Sequence, residues 1–541
     1  MNRLIIFVSL FLVFASSSVT GNRVAPQIQT KYGPVQGMIS QYREVNVLEY
    51  KGIPYAKAPI NENRFLPPTK PDPWTIPQSG ENYGNACIQQ WDLARKNQSE
   101  DCLFINVFVN EESYYKEKSL PVMVYIHGGA FIGGSGDLTG VLGANPLVPI
   151  HDVVLVSFNY RLGALGFLLP DKTQAINTNL GFRDQIFALQ WVQDNIYLFA
   201  GDSSRVTIFG ESAGSKSVGL HIISPLSANL FTNAIMQSGA LWHGDVKKTE
   251  TILASNKLIE DVGCSGQQDI LACLQKVDVA DLMKPVGPLQ NPFLPNFHDS
   301  DVFPSKPYEA ITQGTVNVGK NVLAGAELND GAIFLAFDDV SLLLGNVTYQ
   351  QAVDAVHFFT KNQSSDFFID HYLKPHKKGS SDDIKKALWA FTDDLLYKCP
   401  TYFFASSYGN VSSSGSGNVY AYIHTQKPKT SNPICTKIAE IGPCHGDDLP
   451  FVFGAPFRQP DLYSRLDDDL SSQMMQIWTS FGKYGRLYGQ DPSYWPTLGQ
   501  KQQKNFIMEL NGENIGKLYH EKMDFCIVNW QSFQSVYDPS S

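Results

Sequence analysis

The sequence predicts an α/β protein: a mostly parallel central sheet with helices on both faces. Three observations predict it. Short, continuous apolar runs have the length and β-branched content of strands covered on both sides. Helix-length segments lie between them. The residues with unusual chemistry sit where the runs end, and in such sheets ligands bind at the carboxyl ends of the strands.

The runs follow in order. Val122 to Ile126 ends in His127-Gly128-Gly129, and Val153 to Phe158 is a second run. Val206 to Phe209 ends in Gly210, Ala234 to Met236 ends in Gln237-Ser238-Gly239, and Asn321 to Gly325 is a fifth. Gly181 to Asn195 carries apolar residues at Phe182, Ile186, Leu189 and Val192, near-helical spacing. Ser412 to Gly417 reads as a short solvated loop before a strand at Val419 to Ile423. No internal repeat or long linker marks a domain boundary.

The 541 residues are 43% hydrophobic and 17% charged, which supplies a large core and excludes a disordered chain, a coiled coil or a collagen-like fibre. The formal net charge is −10, without a basic stripe, so nucleic acid is excluded as a partner: phosphate neutralisation needs clustered cations. Residues 1–21 read as a secretory signal peptide. Arg3 precedes the apolar Leu4 to Ala15, followed by Ser16, Ser17 and Ser18, with Val19 and Gly21 at the −3 and −1 positions. The apolar run is too short for a bilayer span, and no later segment is long enough for one. The mature chain is therefore expected to be secreted and without a membrane span. The even count of eight cysteines agrees with an oxidising compartment but leaves their connectivity open. Sequons at Asn97, Asn346, Asn362 and Asn410 are candidate N-glycosylation sites.

Gly210-Glu211-Ser212-Ala213-Gly214 fits G-x-S-x-G between a strand and a candidate helix, Ala213 to Ile223. A sharp turn there would expose the Ser212 hydroxyl above the sheet as a nucleophile. His127-Gly128-Gly129-Ala130 opens a glycine-rich loop. The Gly128 and Gly129 amides, with that of Ala213, are candidate oxyanion donors. A phosphate-cradling loop is the rival reading, but no G-x-x-x-x-G-K-[ST] follows. Among eleven histidines, His445 stands out as the general base, in a loop with Gly442, Pro443, Cys444 and Gly446 and followed by Asp447 and Asp448. His127 more plausibly supports its own loop, His424 lies on a strand, and His371 and His376 belong to a polar surface stretch. Asp330, in the turn Asn329-Asp330-Gly331, is the candidate acid. The order Ser212, Asp330, His445 matches nucleophile, acid and base in α/β-hydrolases.

Together with Lys51-Gly52-Ile53-Pro54-Tyr55-Ala56, Arg64-Phe65, Ser99-Glu100-Asp101-Cys102-Leu103, Asn159-Tyr160-Arg161-Leu162-Gly163, Gly181-Phe182-Arg183-Asp184-Gln185, Gly201-Asp202, Gln237-Ser238-Gly239 and His445-Gly446-Asp447, these motifs resemble the type-B carboxylesterase and cholinesterase family over nearly the whole mature chain. The resemblance implies a single α/β-hydrolase domain over 22–541. It implies Ser212 as nucleophile, Asp330 as acid, His445 as base, and oxyanion donors at Gly128, Gly129 and Ala213. The implied substrate is a small-molecule carboxylic ester, with no metal or cofactor. It also implies disulfides Cys87–Cys102, Cys264–Cys273 and Cys399–Cys526, which leaves Cys435 with Cys444. Buried ion pairs are expected at Arg64–Glu100 and Arg161–Asp394, with Glu211 and Ser238 supporting the site.

Two departures stand out. Asp330 and Asp448 stand where many relatives carry Glu, so the loop meeting Asp330 must sit closer. The loop with 14 residues between Cys87 and Cys102 is shorter than in cholinesterases, and Trp91 is poorly aligned for cation–π binding of a quaternary ammonium, which disfavours choline esters. A lipase with a mobile lid, and a non-catalytic adhesion or storage protein on the same scaffold, are the alternatives. Phe293, Leu294, Phe297, Ile333 and Phe334 are candidate pocket residues. The oligomeric state is left open.

Overall fold

The computed structural model describes residues 23–90, 97–137, 146–171, 176–240, 242, 245–284, 292–297, 301–412, 417–438, 440–487, 495–499, 506–513, 516, 518–519 and 521–538. The expected signal peptide, Trp91 and most of the Ser412–Gly417 stretch lie outside the described residues.

The sheet strands are β1 (Arg23–Gln29), β2 (Pro34–Tyr42), β3 (Val45–Pro54), β4 (Phe104–Asn110), β5 (Leu120–Ile126), β6 (Val154–Phe158), β7 (Gly201–Glu211), β8 (Asn233–Gln237), β9 (Asn321–Glu327), β10 (Val419–His424), β11 (Ile507–Leu510) and β12 (Leu518–Tyr519). Their spatial order is β1-β2-β3-β4-β6-β5-β7-β8-β9-β10-β11-β12, with the two-residue strand Gln78–Ser79 beside β2. From β6 to β11 every pairing is parallel. The flanking pairings are antiparallel.

The side-chain period of two sorts each central strand between two cores. Along β5, Val122, Val124 and Ile126 enter one hydrophobic cluster, while Met123 and Tyr125 enter the other. The first cluster includes Trp191 and Val192 of α1 (Leu180–Asn195), Val218 and Leu220 of α2 (Ala213–Ile223), and Phe404 and Tyr408 of α3 (Cys399–Ser412). The second includes Met474, Trp478 and Phe481 of α4 (Arg465–Tyr484). Helices thus cover both faces, and each fully buried large apolar side chain contributes about 1.5–3 kcal/mol. Helix α4 starts where Ser464 accepts from the Asp467 amide in a capping box, and stops at Gly485 in the left-handed region.

Two buried ion pairs brace the sheet's surroundings. Arg64 holds Glu100 with both prongs, at 2.6 and 2.7 Å, and its remaining nitrogen donates to the carbonyl oxygens of Leu274, Gln275 and Val277. Arg161 does not pair with Asp394. Its partner is Asp184, on the first turns of α1, through two bonds of 2.7 Å, and the Arg161 amide donates to the same carboxylate. Asp394 instead accepts from the Tyr372 hydroxyl at 2.6 Å. The physical reason is packing: α1 brings Asp184 under the turn that follows β6, whereas Asp394 starts a π-helical turn turned toward Tyr372. Asp184→Ala would strand the Arg161 charge, which is 4% exposed. It is expected to cost about 3–5 kcal/mol, read as a lower denaturation midpoint at constant m-value; a loss below about 1 kcal/mol would contradict the pairing.

All eight cysteines are in disulfides: Cys87–Cys102, Cys264–Cys273, Cys399–Cys526 and Cys435–Cys444. Among the described residues, no helix is long and apolar enough to cross a membrane.

Candidate active site

Strand β7 ends at Glu211 and α2 begins at Ala213, so Ser212 alone makes the turn. Its backbone is at φ 60°, ψ −121°, a strained conformation for a residue with a Cβ. The turn is possible because its neighbours are glycine: a Cβ at Gly214 would lie 2.0 Å from the Ile126 carbonyl oxygen of β5. The Ser212 amide donates to the Gln237 carbonyl of β8, which pins the turn to the sheet.

The glycine loop after β5 packs against this turn. A Cβ at Gly128 would stand 3.1 Å from the Ser212 Cβ and 2.6 Å from the Glu211 carbonyl oxygen, so only glycine brings this backbone to the serine. Ala213 opens α2, and the first amides of a helix have no partner within it. His127 supports the loop. Burial pulls its pKa down to about 4, so the ring is neutral, and Nδ1 donates to the Gly128 carbonyl at 2.9 Å. The ring also stacks on Tyr160 at 4.3 Å.

His445 and Asp330 come from two loops sewn together. The Asn329 amide donates to the Pro443 carbonyl, and Asn329 Oδ1 accepts from the Gly442 amide at 2.8 Å. These bonds join the two loops, in which His445 Nδ1 lies 2.5 Å from Asp330 Oδ1, while Asp330 Oδ2 accepts the Glu327 amide at 2.9 Å. Asp330 is fully buried. His445 Nε2 faces Glu211 Oε1 at 3.1 Å. Burial pulls the His445 pKa down, but the Glu211 charge and the Asp330 hydrogen bond outweigh it and leave it raised. Burial pushes Glu211 up to about 8, opposed by the His445 charge. The two groups titrate as a coupled pair.

The His445 ring lies between Phe334, at 5.2 Å, and Tyr397, at 4.4 Å. Tyr397 also has the Ser212 hydroxyl as a hydrogen-bonding neighbour, and Lys216 Nζ stands 5.5 Å over its ring. Of the candidate pocket residues, Phe334 reaches the imidazole, whereas Phe297 packs on Phe303 in the core. Asp448 is buried, accepts from Gln237 at 2.8 Å, and is pushed up to about 6 by burial.

The reading of the sequence had not singled out Lys216, Tyr397 or Glu327. Lys216 had a signal: four residues after Ser212 in a helix puts it one turn above the nucleophile. Tyr397 had none, because a π-helical turn far along the chain brings it there.

The description of the carboxylesterase family matches residues 24–526. The chain belongs to that family. It is thus a carboxylic ester hydrolase of the α/β-hydrolase fold. It is 30% identical to the acetylcholinesterase of Bungarus fasciatus, over 94% of this chain and 86% of that one. It is also 30% identical to the cholinesterase of Mus musculus, over 91% and 84%, and to carboxylesterase 5A of Mus musculus, over 92% and 88%. In this carboxylesterase-family chain the Ser212 turn, the glycine loop and the loop of Asp330 all follow the carboxyl ends of parallel strands, β7, β5 and β9.

Proposed function

We propose that the protein cleaves small-molecule carboxylic esters through an acyl-enzyme on Ser212, after export into the secretory pathway. The Ser212 turn, with His445 held by Asp330 and lying against Glu211, the residue before the serine, carries the reading. Ser212 Oγ attacks the ester carbonyl while His445 Nε2 takes its proton, and Asp330 stabilises the imidazolium. The Gly128, Gly129 and Ala213 amides receive the oxyanion, each worth roughly 3 kcal/mol. Collapse of the tetrahedral intermediate breaks the ester C–O bond, and His445 returns the proton to the leaving alkoxide. Water then attacks the acyl-enzyme with the same proton route and frees the acid and Ser212. Four disulfides and the exposure of Asn97, Asn346, Asn362 and Asn410 support export with glycosylation.

A fluorescent organophosphonate is expected to label native protein at the Ser212 peptide, identified by mass spectrometry, and a panel of nitrophenyl esters of rising acyl length to be turned over. Native protein that takes no label and cleaves no ester would make the chain a non-catalytic member of its family.

The pH profile follows from the coupled pair. The base must be neutral, so kcat/KM falls as pH drops through its apparent pKa. Because that pKa is raised, the acidic limb is expected above the ordinary histidine value of about 6.5. Glu211→Gln removes the charge that raises it and is expected to move the limb to lower pH. A limb that stays put would exclude Glu211 as the cause.

A further inference from the structure

Glu327 ends β9 and His424 ends β10, directly opposite in register. Both are 0% exposed. The Glu327 carboxyl is used at both oxygens: Oε2 lies 2.5 Å from His424 Nδ1, and Oε1 accepts the Asp448 amide at 3.0 Å. Its own amide donates to Asp330 Oδ2. One residue thus joins the acid, through its main chain, to the segment three residues past the base, through its side chain.

Burial works against a charged Glu327–His424 pair. Burial pushes the Glu327 carboxyl well up, with the Asp448, Asp330, Asp447 and Glu211 charges adding to the push. Burial pulls His424 down to about 3. Burial thus disfavours the charge on both groups; in the neutral arrangement Glu327 donates its proton to Nδ1 and the other ring proton sits on Nε2. That nitrogen is buried without a hydrogen-bond partner among the described residues. Apolar residues of the same volume would hold two strand ends together at least as well. What they would lack is the carboxyl oxygen that draws in Asp448. That pull matters here because the acid is Asp330, one methylene shorter than glutamate, so the His445 segment must come closer to meet it.

Taking Asp330 and His445 as the acid and base proposed above, we infer that Glu327 is a positioning residue that sets their separation, with His424 fixing its carboxyl: the pair compensates for the short acid. The other groups acting on His445 are Glu211, Asp448, Lys216, Phe334 and Tyr397, which the variants below leave in place.

The test compares three changes on a short-chain nitrophenyl ester. Glu327→Ala is expected to lower kcat by roughly 10²-fold with little change in KM, the scale of a misplacement near 1 Å. It should also move the acidic limb of kcat/KM down, because Asp330 holds the imidazolium less well. Glu327→Gln keeps an oxygen for the Asp448 amide and an N–H for His424 Nδ1, and is expected to stay within about threefold of wild type on that ground. Asp330→Glu added to Glu327→Ala restores the missing reach and is expected to regain about tenfold in kcat, which a merely structural defect would not allow. Wild-type kcat and limb in Glu327→Ala, equal losses in Glu327→Ala and Glu327→Gln, or no rescue by Asp330→Glu would each overturn the role. If Glu327→Ala does not fold, His424→Phe serves instead and must lower kcat and the limb in the same direction. The downfield proton resonance of the His445–Asp330 hydrogen bond separates this idea from the esterase reading, since it needs no turnover. It should be present in wild type and Glu327→Gln and altered in Glu327→Ala. An unaltered resonance sinks the positioning role, whereas a wild type with the resonance and no esterase activity sinks only the proposed reaction.

Discussion

Ser212→Ala is expected to lower kcat for ester hydrolysis by roughly 10⁵–10⁶-fold and to abolish organophosphonate labelling, with the unfolding midpoint unchanged. The effect is large because the neighbouring hydroxyls, Ser215 and Tyr397, are poor substitutes for the Ser212 oxygen. Ser215, one turn along, donates its hydroxyl to the Gly239 carbonyl at 2.6 Å and is fully buried. Tyr397 adjoins the serine, but its pKa is raised by burial, so it is no nucleophile at neutral pH. Stability should hold because alanine keeps the Cβ: the positive φ, the Gln237 bond and the contact with Gly128 do not involve Oγ. Activity that survives at the background set by the oxyanion amides is consistent with this account. Labelling of the alanine variant at another residue is not, and would move the nucleophile elsewhere.

Asp330→Asn is expected to cost about 10⁴-fold in kcat with little change in KM, although the side chain keeps its shape. The carboxylate receives two protons from the protein, the Glu327 amide at Oδ2 and His445 Nδ1–H at Oδ1. An asparagine satisfies the first with its oxygen and must then point its NH₂ at Nδ1. That forces the imidazole proton onto Nε2, and the lone pair needed to take the Ser212 proton is gone. The imidazolium formed during attack also loses its counter-charge in a buried site. Steady-state kinetics with the alanine and asparagine variants side by side, and phosphonate labelling rates for both, check this. Retention of more than a tenth of wild-type kcat in Asp330→Asn would mean that another carboxylate, Glu211 being the one within 3.1 Å of the ring, orients the base.

The central strands could be read from the chain because each is covered twice. Val122 to Ile126 is buried and apolar at every position, and Val206 to Phe209 at every position but Thr207, so the run itself marks the strand. The antiparallel flank β1 to β3 has exposed positions and carries no such mark. The Ser212 turn could be read because its glycines are demanded by contacts only glycine permits. Arg161 shows where such reading stops. Its need for a buried carboxylate follows from its sequence context, but Asp184 and Asp394 are equally acidic in the chain. Only the packing of α1 under β6 chooses between them.

By itself, then, the sequence determined the strand content, the sharp turn at Ser212 and the glycine backbone beside it, because each is a local demand of volume or backbone conformation. The tertiary structure alone decided which groups share a proton and how far apart they stand. Those are properties of loops 115 residues apart in the chain meeting at the end of a sheet, as His445 meets Asp330, and hydrogen-bond strength depends on tenths of an ångström that no local pattern encodes.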